Sequence, residues 1–167
     1  MSNSSNDRTI SMNKELYEYK RKVIEKMLDT PDIIEGLNIE EKQLDPSEII
    51  YKHIYPFGVI APTQTDAKCY ITVEVTMPQV STVNFFFKDV LLVVNVICHN
   101  DLMRTNYNIP RHDYLSAKIC ELLNGSAFLG YGEMQLVSNT EGAFSERHSG
   151  RTMRFQIKEQ SKKNLCV

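Results

Sequence analysis

The chain has 167 residues, 42% hydrophobic and 24% charged, with a formal net charge of -2 at neutral pH. That is enough for one domain with its own core and too little for two generous ones. A nearly neutral surface gives no global pull toward nucleic acid or an anionic membrane. The longest apolar run, Val90 to Cys98, is interrupted by Asn95 and falls far short of the roughly 20 residues that span a bilayer. The N-terminus MSNSSNDRTI lacks the apolar core of an export signal, so a non-exported protein without membrane contact is expected. Cys69, Cys98, Cys120 and Cys166 have no paired spacing, and three lie in apolar periodic segments, where cysteine behaves as a small reduced hydrophobe.

In chain order, residues 1–12 are small and polar without apolar periodicity and read as a disordered arm before a single domain over 13–160, with 161–167 as a flexible tail. From Lys14 to Leu28, Leu16, Tyr19, Val23 and Met27 recur at helical spacing, with Asn13 as a cap and Glu18 four before Lys22. Thr30-Pro31 restarts the chain as cap and first residue of a short helical turn ending near Gly36, and Asp45-Pro46-Ser47-Glu48 repeats the device. Pro56, Gly58 and Pro62 exclude a long regular element between Ile54 and Asp66, leaving an irregular crossing segment. Alternation then becomes clean: Cys69, Ile71, Val73, Val75 and Met77 point one way and Tyr70, Thr72, Glu74 and Thr76 the other, as in a strand with one wet face. Pro78 ends or bends it.

The run NFFFKDVLLVVNVICH, Asn84 to His99, is the most informative stretch. A strand of some fifteen residues reaches roughly 50 Å, about three times the usual length. Val90, Leu92, Val94, Val96 and Cys98 form one apolar face, and Leu91, Val93 and Ile97 the other with Asn95 between them. The spacing predicts an antiparallel hairpin with the preceding strand, its tip with Phe85, Phe86 and Phe87 projecting beyond the core. An apolar strand end that leaves its own domain meets another chain or becomes an aggregation edge. Pro110 opens a second helix with Leu115, Ile119, Leu122 and Leu123 on one face, stopped by Asn124-Gly125. Met134 to Val137 and Thr152 to Lys158 read as the last strands, joined by a long basic loop from Ser138 to Arg151. The expected class is α+β, a mainly antiparallel four-stranded sheet with a long projecting β-hairpin, packed against two helices.

No catalytic constellation accompanies these elements. His53, His99, His112 and His148 are scattered and no C-x-x-C occurs, so no metal or cofactor site is expected. Neither G-x-S-x-G nor a phosphate-binding glycine loop is present, and the chain is expected not to be an enzyme. Glu74 is a lone carboxylate, so a metal-dependent nuclease would have to recruit Asp66 or Asp89 without a recognisable spacing. Charge is uneven: Asp32, Glu35, Glu40, Glu41, Asp45 and Glu48 face only Lys42 in their segment, whereas Arg147, Arg151, Arg154, Lys158, Lys162 and Lys163 dominate the C-terminal part, where the loop Arg147-His148-Ser149-Gly150-Arg151 is the best candidate patch. Two solvated surfaces explain this, as do unlike sides suited to head-to-tail contact between copies.

Taken together, the layout resembles the tail terminator or tail completion proteins of long-tailed bacteriophages and related neck subunits. The matching parts are the N-terminal helix with its Thr30-Pro31 continuation, the Tyr70 to Met77 strand, the strand Phe85 to His99 breaking into NDLMRTNY, the helix RHDYLSAKICELLNG and the closing QLVSNTEGAFSERHSGRTMRFQI. The resemblance implies a virion protein, assembled in the host bacterial cytoplasm, that forms a ring, commonly a hexamer, at the top of the tail tube. It would stop tube polymerisation, meet the tube protein and the neck connector proteins, and let DNA pass its lumen without sequence recognition. A head-tail adaptor or head-closure protein is the nearest rival, and a nuclease the more distant one.

Overall fold

The computed structural model describes residues 3–39, 45–58, 66–80, 87–129 and 132–160. Helix α1 spans Asn3–Leu28, α2 Pro31–Gly36, α3 Pro46–Ile49 and α4 Arg111–Leu123, with a 3₁₀ turn at Asn100–Leu102. The strands are β1 (Ile54–Tyr55), β2 (Cys69–Val80), β3 (Phe87–His99), β4 (Met134–Ser145) and β5 (His148–Gln160). They form one sheet in the order β1-β2-β3-β5-β4. The class is α+β as expected, but the sheet has five strands rather than four and is mixed, because β1 pairs in parallel with β2 at Ile54–Ile71 and Tyr55–Thr72. Two residues flanked by Pro56 are too short for sequence alternation to register as a strand.

Helix α1 carries Tyr19, Val23, Ile24 and Met27 into the core, and α4 adds Leu115, Ile119 and Leu123. The sheet answers with Ile71, Val73 and Val75 from β2, Val90 to Cys98 in alternation from β3, and Met153, Phe155 and Ile157 from β5. Burial of such side chains is worth about 1.5–3 kcal/mol each, and this shared core is what fixes the helices on one face. Helix α1 begins eleven residues before the expected Lys14 and passes through Asn13 without a break. No glycine or proline lies between residues 3 and 28, so once the packed turns from Tyr19 to Met27 nucleate the helix, extension costs little. Thr30 occupies the position before α2 in an extended conformation but does not cap it; its hydroxyl donates back to the Lys26 carbonyl at 2.8 Å. Asp45 does cap α3, accepting from the Ser47 amide at 3.2 Å.

Arg111 at the start of α4 clamps two backbone segments through three carbonyls: its guanidinium donates to those of Leu102 (2.7 Å), Gly36 (3.0 Å) and Arg104 (3.2 Å). The other end of α4 is tied to β4. Gly125 takes the left-handed conformation at φ 78, its amide donates to Met134 and the Asn124 side chain accepts from Leu136.

Pro78 bends β2 rather than ending it: the register with β3 shifts between Thr76 and Gln79, and pairing resumes through Val80 opposite Lys88. The hairpin tip with Phe85 and Phe86 lies outside the described residues, and Phe87 enters as the first residue of β3, opposite Gln160. The larger revision is C-terminal. Ser138 to Arg151 is not a loop but a hairpin, with β4 running to Ser145 and β5 starting at His148. Its alternation is masked by two register shifts, between Leu136 and Ser138 and between Ala143 and Ser145. Each extra residue breaks the period of two that a sequence reading depends on.

The sheet face away from the helices is also less wet than its pattern implies. Tyr70 and Thr72 are fully buried, Glu74 is half-buried and only Thr76 is exposed. A Cβ on Gly58 would collide with the Glu74 carboxylate, and the Asp66 carbonyl accepts from Tyr70 Oη at 3.5 Å, so both described ends of the Ile54–Asp66 crossing rest on this face. Under that cover Asn95 bridges three strands: its amide donates to Thr72 Oγ1 at 2.9 Å, and its Oδ1 accepts from Thr152 Oγ1 at 2.7 Å. Asn95→Ala takes one partner from each of two hydroxyls, and a loss of about 1–3 kcal/mol is expected in urea unfolding. Asn95→Asp should recover less than half of the loss, because it buries a carboxylate whose partners here are two hydroxyls.

Candidate interaction surface

Edge strand β4 is the most exposed element of the described domain. After buried Met134 almost every residue to Ser145 faces solvent, including Leu136 (37%), Val137 (60%) and Phe144 (42%). Val137 and Phe144 are the residues left over at the two register shifts, which turns their side chains out of the regular alternation. Among the described residues no strand pairs with the outer side of β4, and none pairs with β2 beyond Thr72. Within the described residues the sheet therefore ends on two rows of backbone donors and acceptors. Strand direction makes them complementary: β2 and β5 run one way, β3 and β4 the other. The β4 edge of one molecule laid against the β2 edge of another, with the same face outward, continues an antiparallel sheet.

The residues singled out by charge are dispersed. Glu40 and Glu41 lie outside the described residues. Asp32 is held by Lys118 at 3.1 Å, and Glu35 accepts from Tyr107 Oη at 2.8 Å. Hydrogen bonds to Glu121 and then Asp32 raise the Lys118 ammonium above the usual lysine range, and the Glu35 bond, followed by that of Tyr114, pushes the Tyr107 phenol up to about 12. Tyr107 stacks flat on Tyr114 with ring centres 4.5 Å apart, so this corner is an ordered intramolecular joint.

On the basic side, two of the described residues are free surface. Arg147 is exposed in the β4–β5 turn and Arg154 is exposed on the face away from the helices, opposite Val93 and Ser138; neither forms an ion pair among the described residues. Arg151 points to the helix side instead, where Nε donates to Asp113 of α4 and Nη2 lies 3.7 Å from Glu141. His148 is buried rather than part of a basic patch. Its Nδ1 lies 2.9 Å from Ser145 Oγ, and its ring packs edge-on against His99 with centres 5.1 Å apart and near Tyr70 at 6.1 Å. No sequence signal marks this cluster, because His99 and His148 meet only through strand register. Among the described residues no group of His, Cys, Asp and Glu could hold a metal ion, and no helix is long and apolar enough to cross a membrane.

Two outcomes follow from these placements. Arg151→Ala should destabilise the fold by about 1–2 kcal/mol through the lost Asp113 pair, and a double-mutant cycle with Asp113→Ala should show coupling between them. For His148, burial first and the His99 charge second lower its pKa from the ordinary 6.5, while a backbone bond to Asp66 opposes them. The unfolded chain therefore binds the proton more readily. Stability contributed by neutral His148 is complete above about pH 6.5 and is lost as pH falls below that value toward the depressed folded pKa. Thermal melts should show a lower midpoint at pH 5 than at pH 7.5, with the drop reduced in His148→Gln.

No curated protein and no solved structure matches the chain. A family model described as YomW matches residues 13–157, from the middle of α1 to Ile157 of β5. The name is of phage derivation, which supports a phage origin. With a match over most of its length, the chain belongs to the YomW family.

Proposed function

We propose that the protein is a virion component of a tailed bacteriophage, a tail terminator whose identical subunits, commonly six, form a ring at the head-proximal end of the tail tube and join it to the neck. The observation that carries this reading is the unfinished sheet. One domain with two edges of opposite direction that are unpaired among the described residues, one of them bearing Leu136, Val137 and Phe144 in solvent, has the geometry of a head-to-tail building block. A heterologous contact of this kind closes into a ring when the rotation between copies permits. The phage-derived family name supports the setting. Arg147 and Arg154, exposed and without carboxylate partners among the described residues, are the basic groups left to meet an acidic neighbour, whereas Arg151 is already engaged by Asp113.

The purified chain should form particles of one discrete mass by light scattering and rings in negative-stain micrographs. A Val137→Glu, Phe144→Glu double variant should reduce association at least tenfold while its melting midpoint stays within a few degrees, since both side chains are exposed. Arg147→Glu should weaken association in a salt-sensitive manner. A strictly monomeric chain at every concentration, failing to cap purified tail tubes, would end the proposal. Divalent-metal nuclease activity lost in Glu74→Gln would favour the enzymatic alternative.

A further inference from the structure

Cys69 and Cys98 are direct cross-strand partners in the β2–β3 hairpin, on the helix-facing side of the sheet. The kind of pair they form follows from one backbone bond. The His99 amide donates to the Lys68 carbonyl at 3.1 Å, joining the residue after Cys98 to the residue before Cys69. That pattern belongs to a non-hydrogen-bonded antiparallel pair, in which opposing Cα atoms are about 4.5 Å apart and side chains approach most closely. Disulfides span Cα separations of about 4.4–6.8 Å, so this register suits a bridge without backbone movement. The two side chains leave the same face of adjacent strands, and Cys69 is the first cause of the raised Cys98 pKa. Both are buried in the core on the helix side of the sheet.

We propose that Cys69 and Cys98 are a latent disulfide that closes across β2 and β3 when the protein meets an oxidising medium. The step is a two-electron oxidation. Both S–H bonds break, one S–S bond forms, and two protons and two electrons pass to an external disulfide such as oxidised glutathione, which leaves as two thiols. Burial makes the thiols slow, since attack requires a thiolate and the neighbouring Cys69 and desolvation hold Cys98 well above the usual thiol range. The place of the pair in the sheet supplies the route. Cys69 is the first residue of β2, so fraying of one strand end exposes it without unfolding the core. The pair therefore stays reduced in a thiol-rich cytoplasm and oxidises slowly outside it, stapling the hairpin root at the end opposite its tip. This inference stands on register alone and is independent of the proposed ring.

The test uses the full chain carrying Cys120→Ser and Cys166→Ser, which leaves only the pair. Incubation with oxidised glutathione should take the free thiol count under denaturing conditions from two to zero, lower the mass by about two daltons, and yield one cross-linked peptide joining the segments around residues 69 and 98. Closing a loop of this size should raise the melting midpoint by about 5–10 °C, reversibly on adding dithiothreitol. The rate should rise with mild denaturant well below the unfolding midpoint. Two thiols still free after prolonged oxidation of folded protein, or mixed disulfides and intermolecular dimers in place of the internal bridge, would overturn the proposal. If the double serine variant fails to fold, the same peptide mapping on the wild-type chain decides between a 69–98 linkage and one through Cys120 or Cys166.

Discussion

Strand β3 is paired with β5 at every position from Phe87 to His99, and with β2 from Leu91 to Cys98 and again at Asp89 and Lys88, and the remaining elements are arranged around that double pairing. Its helix-facing side, Val90 through Cys98 in alternation, is sealed by α1 and α4. Since a slip of one residue would carry that apolar row to the other face, the register is strongly specified. Three consequences come from it: Cys69 opposes Cys98, His99 opposes His148, and Asn95 stands between Thr72 and Thr152. Within each of the three contacts the partners are far apart in sequence. Gly150 reflects the same constraint, because a Cβ there would run into the Val96 carbonyl of β3.

A fully paired centre pushes incompleteness to the margins. The parallel contact of β1 covers only Ile71 and Thr72, leaving the rest of the β2 edge without a described partner, and β4 has none on its outer side. Many monomeric proteins blunt such edges with charges, prolines or bulges. Pro78 and the two β4 bulges are devices of this kind, yet β4 also displays Val137 and Phe144, and Glu141 is its only charged residue. Irregularity discourages indiscriminate pairing while still admitting a partner with a matching profile, which is the balance a self-assembling subunit requires.

Local polar interactions hold the periphery rather than the centre. Arg111 gathers the carbonyls of Gly36, Leu102 and Arg104, and Arg151 binds the hairpin to α4 through Asp113. Arginine suits both tasks because its planar fork presents several donors in fixed directions and keeps its charge when partly buried. These engagements also decide which basic side chains stay available to a partner, and they single out Arg147 and Arg154.

The amphipathic faces of α1 and α4, the alternation of β2 and the buried run of β3 were legible in the chain, because each depends on the repeat of a single element. The extent of β4 and β5 was not, since two inserted residues break the period between Leu136 and Ser145. Nor was the N-terminal reach of α1, whose first turns have no apolar stripe. Charge counts found Arg147 and Arg154 but could not separate them from Arg151 and His148, because exposure is a property of the assembled sheet. Sequence alone determined which faces had to be buried, as apolar area seeks cover whatever the neighbours are. The tertiary structure alone decided which distant residues would meet and which edges would stay open, because strand order and register are set by packing across the sheet rather than along the chain.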